Sequence, residues 1–136
     1  MATRRRAREV ALQMLFQLEA SGASAREVLE RYRRCFAEGP LPDDFAVALF
    51  RDVVEHRDEI DRRIVAASDH WRIERMSRVD RNILRIGAHE IGTGDSVPPR
   101  VAINEAVELA KRFGTAESAA FVNGILDRIA RDERRL

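Results

Sequence analysis

The chain has 136 residues, a length that suits one compact domain over 1–136, and its 45% hydrophobic and 35% charged residues describe a globular protein. No stretch approaches the roughly 18 apolar residues of a membrane-spanning helix, and the basic N-terminus is not followed by the apolar segment of a secretory signal. Cys35 is the single cysteine, which excludes an internal disulfide framework and a cysteine-built zinc site and fits a reducing cytoplasm.

The chain reads as helix throughout. Apolar residues at Val10, Ala11, Met14, Leu15 and Leu18 follow the i, i+3, i+4, i+7 spacing of one buried helix face. Thr3 is placed to cap this helix and Gly22 to end it. Ser24 with Glu27 forms a capping box for a second helix carrying Val28, Leu29, Tyr32, Cys35 and Phe36. Gly39-Pro40-Leu41-Pro42 is the clearest break in the chain. Asp43 or Asp44 then opens a third helix, with Ala46, Leu49, Phe50, Val53 and Val54 inward. A kink or a new helix is expected near His56, before Ile60, Ile64 and Val65.

Ser77 with Asp80 starts the next helix, which carries Val79, Ile83, Leu84, Ile86 and Ile91 and ends at Gly92-Thr93-Gly94-Asp95. Pro98-Pro99 begins a helix that runs to Phe113 and stops at Gly114. Thr115 opens the last one, with Ala119, Val122, Leu126 and Ile129 inward. No strand alternation survives, so the fold class is all-α, about seven helices with short connections.

Catalytic chemistry has little support. His56, His70 and His89 fit no helix-borne metal pair, no nucleophile elbow or phosphate loop occurs, and Gly92-Thr93-Gly94 reads as a turn. No enzyme, metal or cofactor is expected. Trp71 has two readings: it stacks on a base or a partner, or, the commoner use of a lone tryptophan, it seals the edge of a helical core. Gly124, inside the last helix, costs about 1 kcal/mol against alanine and points to a close approach by a neighbouring helix or a ligand backbone.

Charge distribution is more telling than the net charge of +1. Of 24 basic residues only Lys111 is lysine, a bias that a GC-rich genome produces. That bias does not explain why Arg4, Arg5, Arg6 and Arg8 cluster at one end. They sit in the first turns of a helix, where cations cost roughly 0.3–1 kcal/mol each against the helix dipole. Arginine pairs with phosphate in two-pronged fashion and stacks on bases, so the cluster is either a solvated terminus or an RNA site.

A family resemblance bears on the choice. Arg4-Arg5-Arg6-Ala7-Arg8-Glu9 with Ala11, Gln13 and Leu15-Phe16 resembles the start of the NusB family of bacterial transcription antitermination factors. Asp80-Arg81-Asn82-Ile83-Leu84-Arg85-Ile86, followed by Glu90-Ile91, is similar to a second family stretch. The run Val101–Gly114, then Ser118 and Phe121-Val122-Asn123-Gly124-Ile125-Leu126-Asp127, resembles the family signature almost unbroken. The resemblance covers the whole chain in order, with residues 24–75 matched by helix layout more than by words.

The resemblance implies a fold of two packed three-helix units, usually counted as seven helices. It also implies binding of the boxA element of ribosomal RNA transcripts together with the small-subunit ribosomal protein that doubles as factor NusE. That assembly helps RNA polymerase resist termination, without a cofactor or any bond made or broken. Arg4, Arg5, Arg6 and Arg8 match the family's RNA-binding arginines. Glu117 matches an acid, often Asp, associated with RNA recognition, and Phe121 an aromatic that would stack on a base. Phe16, at a position more often Tyr, and Asp80, often Glu, match positions associated with the ribosomal-protein partner. Asn104 and Asn123 are open between buried helix ties and RNA contacts.

Four arginine–phosphate contacts would give a salt slope of about −3 on single-stranded RNA. With so little net charge, tight binding would need the partner's added surface. Some family members dimerise by covering the RNA face, which leaves a homodimer open. Two alternatives stand beside the adaptor: a helical protein-interaction module with no RNA role, and the NusB-like domain of ribosomal RNA cytosine methyltransferases. The arginine motif and the lack of an S-adenosylmethionine-binding pattern favour the free-standing factor.

Overall fold

The computed structural model describes residues 4–35, 44–69, 71–93 and 97–133. They form seven α-helices: α1 (Arg4–Ser21), α2 (Ala25–Cys35), α3 (Asp44–Glu55), α4 (Arg57–Ala67), α5 (Arg78–Thr93), α6 (Pro99–Phe113) and α7 (Ser118–Asp132). A short 3-10 turn, Ile73–Arg75, precedes α5, and the described residues contain no strand. The expected cap at Thr3, the Gly39–Pro42 break and His70 lie outside the described residues. Two compact units divide the chain, 1–55 and 56–136.

The first unit packs α1 against α3 and α2. The stripe expected on α1 is buried at Val10, Ala11, Met14 and Leu15. Its middle is covered all round, because Ala7, Arg8, Glu9 and Leu12 are buried as well. Gly22, at φ +69°, ends α1 in the left-handed conformation that glycine adopts without steric cost. The Ser24 capping box forms: the Glu27 N–H donates to Ser24 Oγ at 3.1 Å, and Ser24 Oγ donates to Glu27 Oε1 at 3.2 Å. From α3, Ala46, Leu49, Phe50 and Val53 fill the core, while Val54 is only half-buried.

The second unit contains four helices. α5, α6 and α7 pack pairwise, and α4 lies on α5 and α7, so a fourth helix joins the triad that the resemblance implied. The chain does break at His56, which caps α4 with φ −104° and ψ 18°. Ser77 caps α5 by accepting the Asp80 N–H at 3.0 Å. Pro99 occupies the first turn of α6, where its missing N–H costs nothing.

Two expectations are corrected here. The last helix begins at Ser118, not Thr115: the buried Ser118 hydroxyl accepts the Thr115 N–H at 2.9 Å and holds the preceding turn open. Gly124 meets no close neighbour, since a Cβ there would have nothing within 4 Å. The close approach is instead at Gly87 on α5, where a Cβ would stand 2.5 Å from Leu126 Cδ1 of α7.

Polar ties complete the second unit. Arg85, buried in α5, grips Asp61 of α4 with two bonds of 2.8 and 3.0 Å and donates to Asn82 Oδ1 at 3.1 Å. Asn82, fully buried, donates to the Arg78 carbonyl at 2.9 Å. Arg63 of α4 donates to both carboxylate oxygens of Glu133, at 2.9 and 2.8 Å, and to the Ala88 carbonyl at 2.8 Å. Burial makes the Arg85 tie costly to break, because a buried charge that loses its partner cannot turn to water instead.

Candidate nucleic-acid interface

The N-terminal arginines divide into two kinds. Arg4, Arg5 and Arg6 are exposed in the first turn of α1. Arg8 is only 3% exposed. Its guanidinium carbon lies 5.4 Å from the centroid of the Phe45 ring, and that of Arg4 lies 4.9 Å from the same ring. Positions 4 and 8 are one helical turn apart, so α1 presents both cations to one aromatic of α3. Arg8 thus differs from the exposed three with which the sequence reading grouped it. In the free protein it helps hold α1 on α3 and does not face solvent as a phosphate contact would. Arg6 pairs with the buried carboxylate of Glu9 at 3.0 Å.

Phe16 stands at 39% exposure on α1, unusual for so large an apolar side chain. Asp80, in the first turn of α5, is half-buried, and its Oδ1 is shielded from solvent without a hydrogen-bond partner among the described residues. Phe16 belongs to the first unit and Asp80 to the second.

A second group assembles on the second unit. Glu117 is exposed just before α7 and accepts from Thr115 Oγ1 at 3.2 Å. Phe121 follows one turn later, half-exposed, with its N–H bonded to the Glu117 carbonyl at 3.1 Å. The Trp71 ring meets Phe121 edge-to-face, with centroids 5.5 Å apart and planes at 74°. Trp71 is 57% exposed, so it does not seal a core edge. Asn123 and Gly124 are exposed on the same helix, and Asn104 is exposed on α6, so neither asparagine is a buried tie. Beyond them Arg128 pairs with Asp69, whose hydrogen bond and charge raise the guanidinium above its ordinary pKa. Asp127 does the same for Arg131.

Phe45 is the participant that sequence reading passes over; Trp71 is weighed there, with the edge of a helical core as its commoner use. Phe45 gives no local signal, because its ring meets residues some forty positions away. Trp71 gives one, a lone large aromatic followed by arginines.

Among the described residues no three potential ligands gather. His56 and His89 do meet, ring centroids 6.3 Å apart, beside a cleft of about 360 Å³ that Ile60 and Arg63 also line. Arg63 there is already committed to Glu133 and Ala88.

Comparison with known proteins settles the family. The NusB family model matches residues 5–131. The chain belongs to the NusB family. The transcription antitermination protein NusB of Myxococcus xanthus is 50% identical over 134 residues, spanning 96% of both proteins. The solved NusB of T. maritima superposes with a TM-score of 0.84 at 34% identity, covering 98% of this chain and 96% of that one. A crystal structure of antitermination factors NusB and NusE in complex with dsRNA contains a chain that matches with a TM-score of 0.82. It is 27% identical and covers 95% of this chain and 96% of that one. As in those NusB structures, the fold is all-α. Among the described residues no helix is long and apolar enough to cross a membrane.

Proposed function

We propose that this NusB-family chain is a cytoplasmic transcription antitermination factor. It binds boxA-type RNA of ribosomal RNA transcripts together with a NusE-like ribosomal protein and helps RNA polymerase resist termination. The observation that carries the reading is the exposed arginine triplet, Arg4, Arg5 and Arg6, fixed on the first turn of a helix in a chain of this family. Guanidinium groups held on a rigid turn meet phosphates with little ordering cost.

In this reading the arginines capture the backbone, and the second unit reads bases. Phe121 supplies an aromatic face, and the Glu117 carboxylate accepts hydrogen bonds from base amino groups. Arg8 acts behind them, holding α1 in place. Phe16 and Asp80 dock the ribosomal protein: the first offers exposed apolar surface, the second a half-buried carboxylate in the first turn of α5. The work is recognition, so no bond is made or broken and no cofactor is used. Net charge of +1 gives weak long-range attraction, so the partner's surface is needed for tight binding.

The test is fluorescence anisotropy with a short boxA-type RNA and a scrambled control, at physiological salt, with and without the ribosomal protein. Tighter binding to boxA, strengthened by the partner and lost on Arg4/Arg5/Arg6→Ala, is expected. Equal weak binding to both RNAs, indifferent to the partner, would refute the reading.

A further inference from the structure

Trp71 is held outward by a built turn. Ser68, buried at the end of α4, donates its hydroxyl to the Ile64 carbonyl at 2.7 Å. The Ser68 carbonyl accepts the Trp71 N–H at 3.0 Å. Asp69 between them takes the left-handed backbone conformation, φ 44°, and its carboxylate is tied to Arg128 of α7. The indole then leans on Phe121 rather than into the core. Three attachments thus fix a side chain that is more than half in water. Burial would have gained more, since a tryptophan is among the largest apolar areas a chain can cover.

The surroundings select what such a face takes. Arg72, Arg75 and Arg78 follow Trp71 at three-residue spacing, and all are exposed. The neighbouring helical surface is small: Ala120 and Gly124 are exposed, and Gly124 has open space where a Cβ would stand. A flat aromatic beside low-relief helix and cationic side chains suits a base with its phosphate, since every base has a π-face and every linkage an anion. An apolar protein segment would bring no anion to those arginines, of which Arg72 and Arg75 flank the exposed Glu74.

We infer that Trp71 is a second base-stacking platform, receiving an unpaired base of single-stranded RNA next to the one at Phe121. This rests on the RNA-binding reading above and extends its surface from α7 to the turn after α4.

Trp71 is the single tryptophan of the chain, so its own fluorescence reports the site. The experiment titrates the full-length protein with a fluorescein-labelled boxA-type RNA, read by anisotropy, and with the same unlabelled RNA, read by tryptophan emission. Quenching that saturates at the anisotropy midpoint is expected. Trp71→Leu should weaken binding about tenfold, within the range for one stacked base, with the salt slope unchanged because no phosphate contact is lost. Trp71→Phe should restore part of that loss, and circular dichroism melts of both variants check that the turn survives. Binding by anisotropy with unchanged emission and full affinity in Trp71→Leu would overturn this inference and leave the RNA reading standing. Emission that responds to the ribosomal protein but not to RNA would overturn it too. No binding by either readout, even with the partner present, would overturn both.

Discussion

Arg8 offers a quantitative test, because sequence and structure give different numbers. Each phosphate contact on a single strand contributes about −0.7 to the slope of log K against log salt. Four arginines would give about −2.8, whereas the three exposed ones, Arg4, Arg5 and Arg6, give about −2.1. Between roughly 50 and 200 mM salt the first slope weakens binding about 49-fold and the second about 18-fold. Replacing Arg8 with methionine keeps the apolar stem against Phe45 and removes the charge. The slope should stay near −2.1, while stability falls by about 0.5–2 kcal/mol through the lost cation–π contact. Arg5→Ala should lower the slope by about 0.7 and leave the melting temperature almost unchanged. Anisotropy across a potassium chloride series, paired with thermal melts, reads both quantities. A slope that drops by about 0.7 in Arg8→Met, with stability intact, would refute the assignment of Arg8 as a packing residue.

Three further outcomes follow from packing. Asp61→Ala takes the carboxylate from the buried Arg85 guanidinium, which keeps its bond to Asn82, and should cost about 1–3 kcal/mol in urea unfolding; the double variant Asp61→Leu/Arg85→Leu should recover much of that, and a loss below about 0.5 kcal/mol in the single variant would contradict a buried tie. Gly87→Ala places a Cβ against the Leu126 methyls and should destabilise by about 1–3 kcal/mol, relieved by Leu126→Val; a neutral melt would show that the Leu126 side chain swings aside freely. Gly124→Ala meets open space and should stabilise α7 by about 0.5–1 kcal/mol while weakening RNA affinity, and a calorimetric melt with an anisotropy titration separates the two effects.

The two glycines show how far sequence carries. Both stand inside helices, and a one-dimensional reading assigns the same cost and the same cause to each. Their causes are opposite: Gly87 admits Leu126, while Gly124 faces nothing. Only the fold brings residue 126 to residue 87. The helix stripes were legible because periodicity is local: Val10 to Leu15 on α1 and Ile83 to Ile91 on α5 are buried as spaced. The break expected near His56 is also present, although the apolar spacing runs on from Val53 to Ile60 and Ile64 without a glycine or proline between them. Arg8 was not legible, because its partner ring is supplied by α3. The start of α7 was misplaced because Thr115 and Ser118 are both good capping residues. The Ser118 hydroxyl accepts the Thr115 N–H and settles the boundary three residues later.

That contrast bears on which of the family words concern RNA. In the Asp80–Ile86 run, Asn82 and Arg85 are buried ties and Ile83, Leu84 and Ile86 are core, so packing accounts for nearly every letter. Asp80 alone keeps a carboxylate oxygen without a partner among the described residues. The Phe121–Gly124 run is different. Val122 is fully buried, but Phe121 is half-exposed, and Asn123 and Gly124 are exposed. A fold selected for stability alone would place alanine at 124 and gain nearly 1 kcal/mol. In the free protein Gly124 fills no steric need and leaves the helix surface low beside Phe121. That reasoning supports the outward side of α7, with Trp71 beside it, as the surface on which a bound RNA would rest.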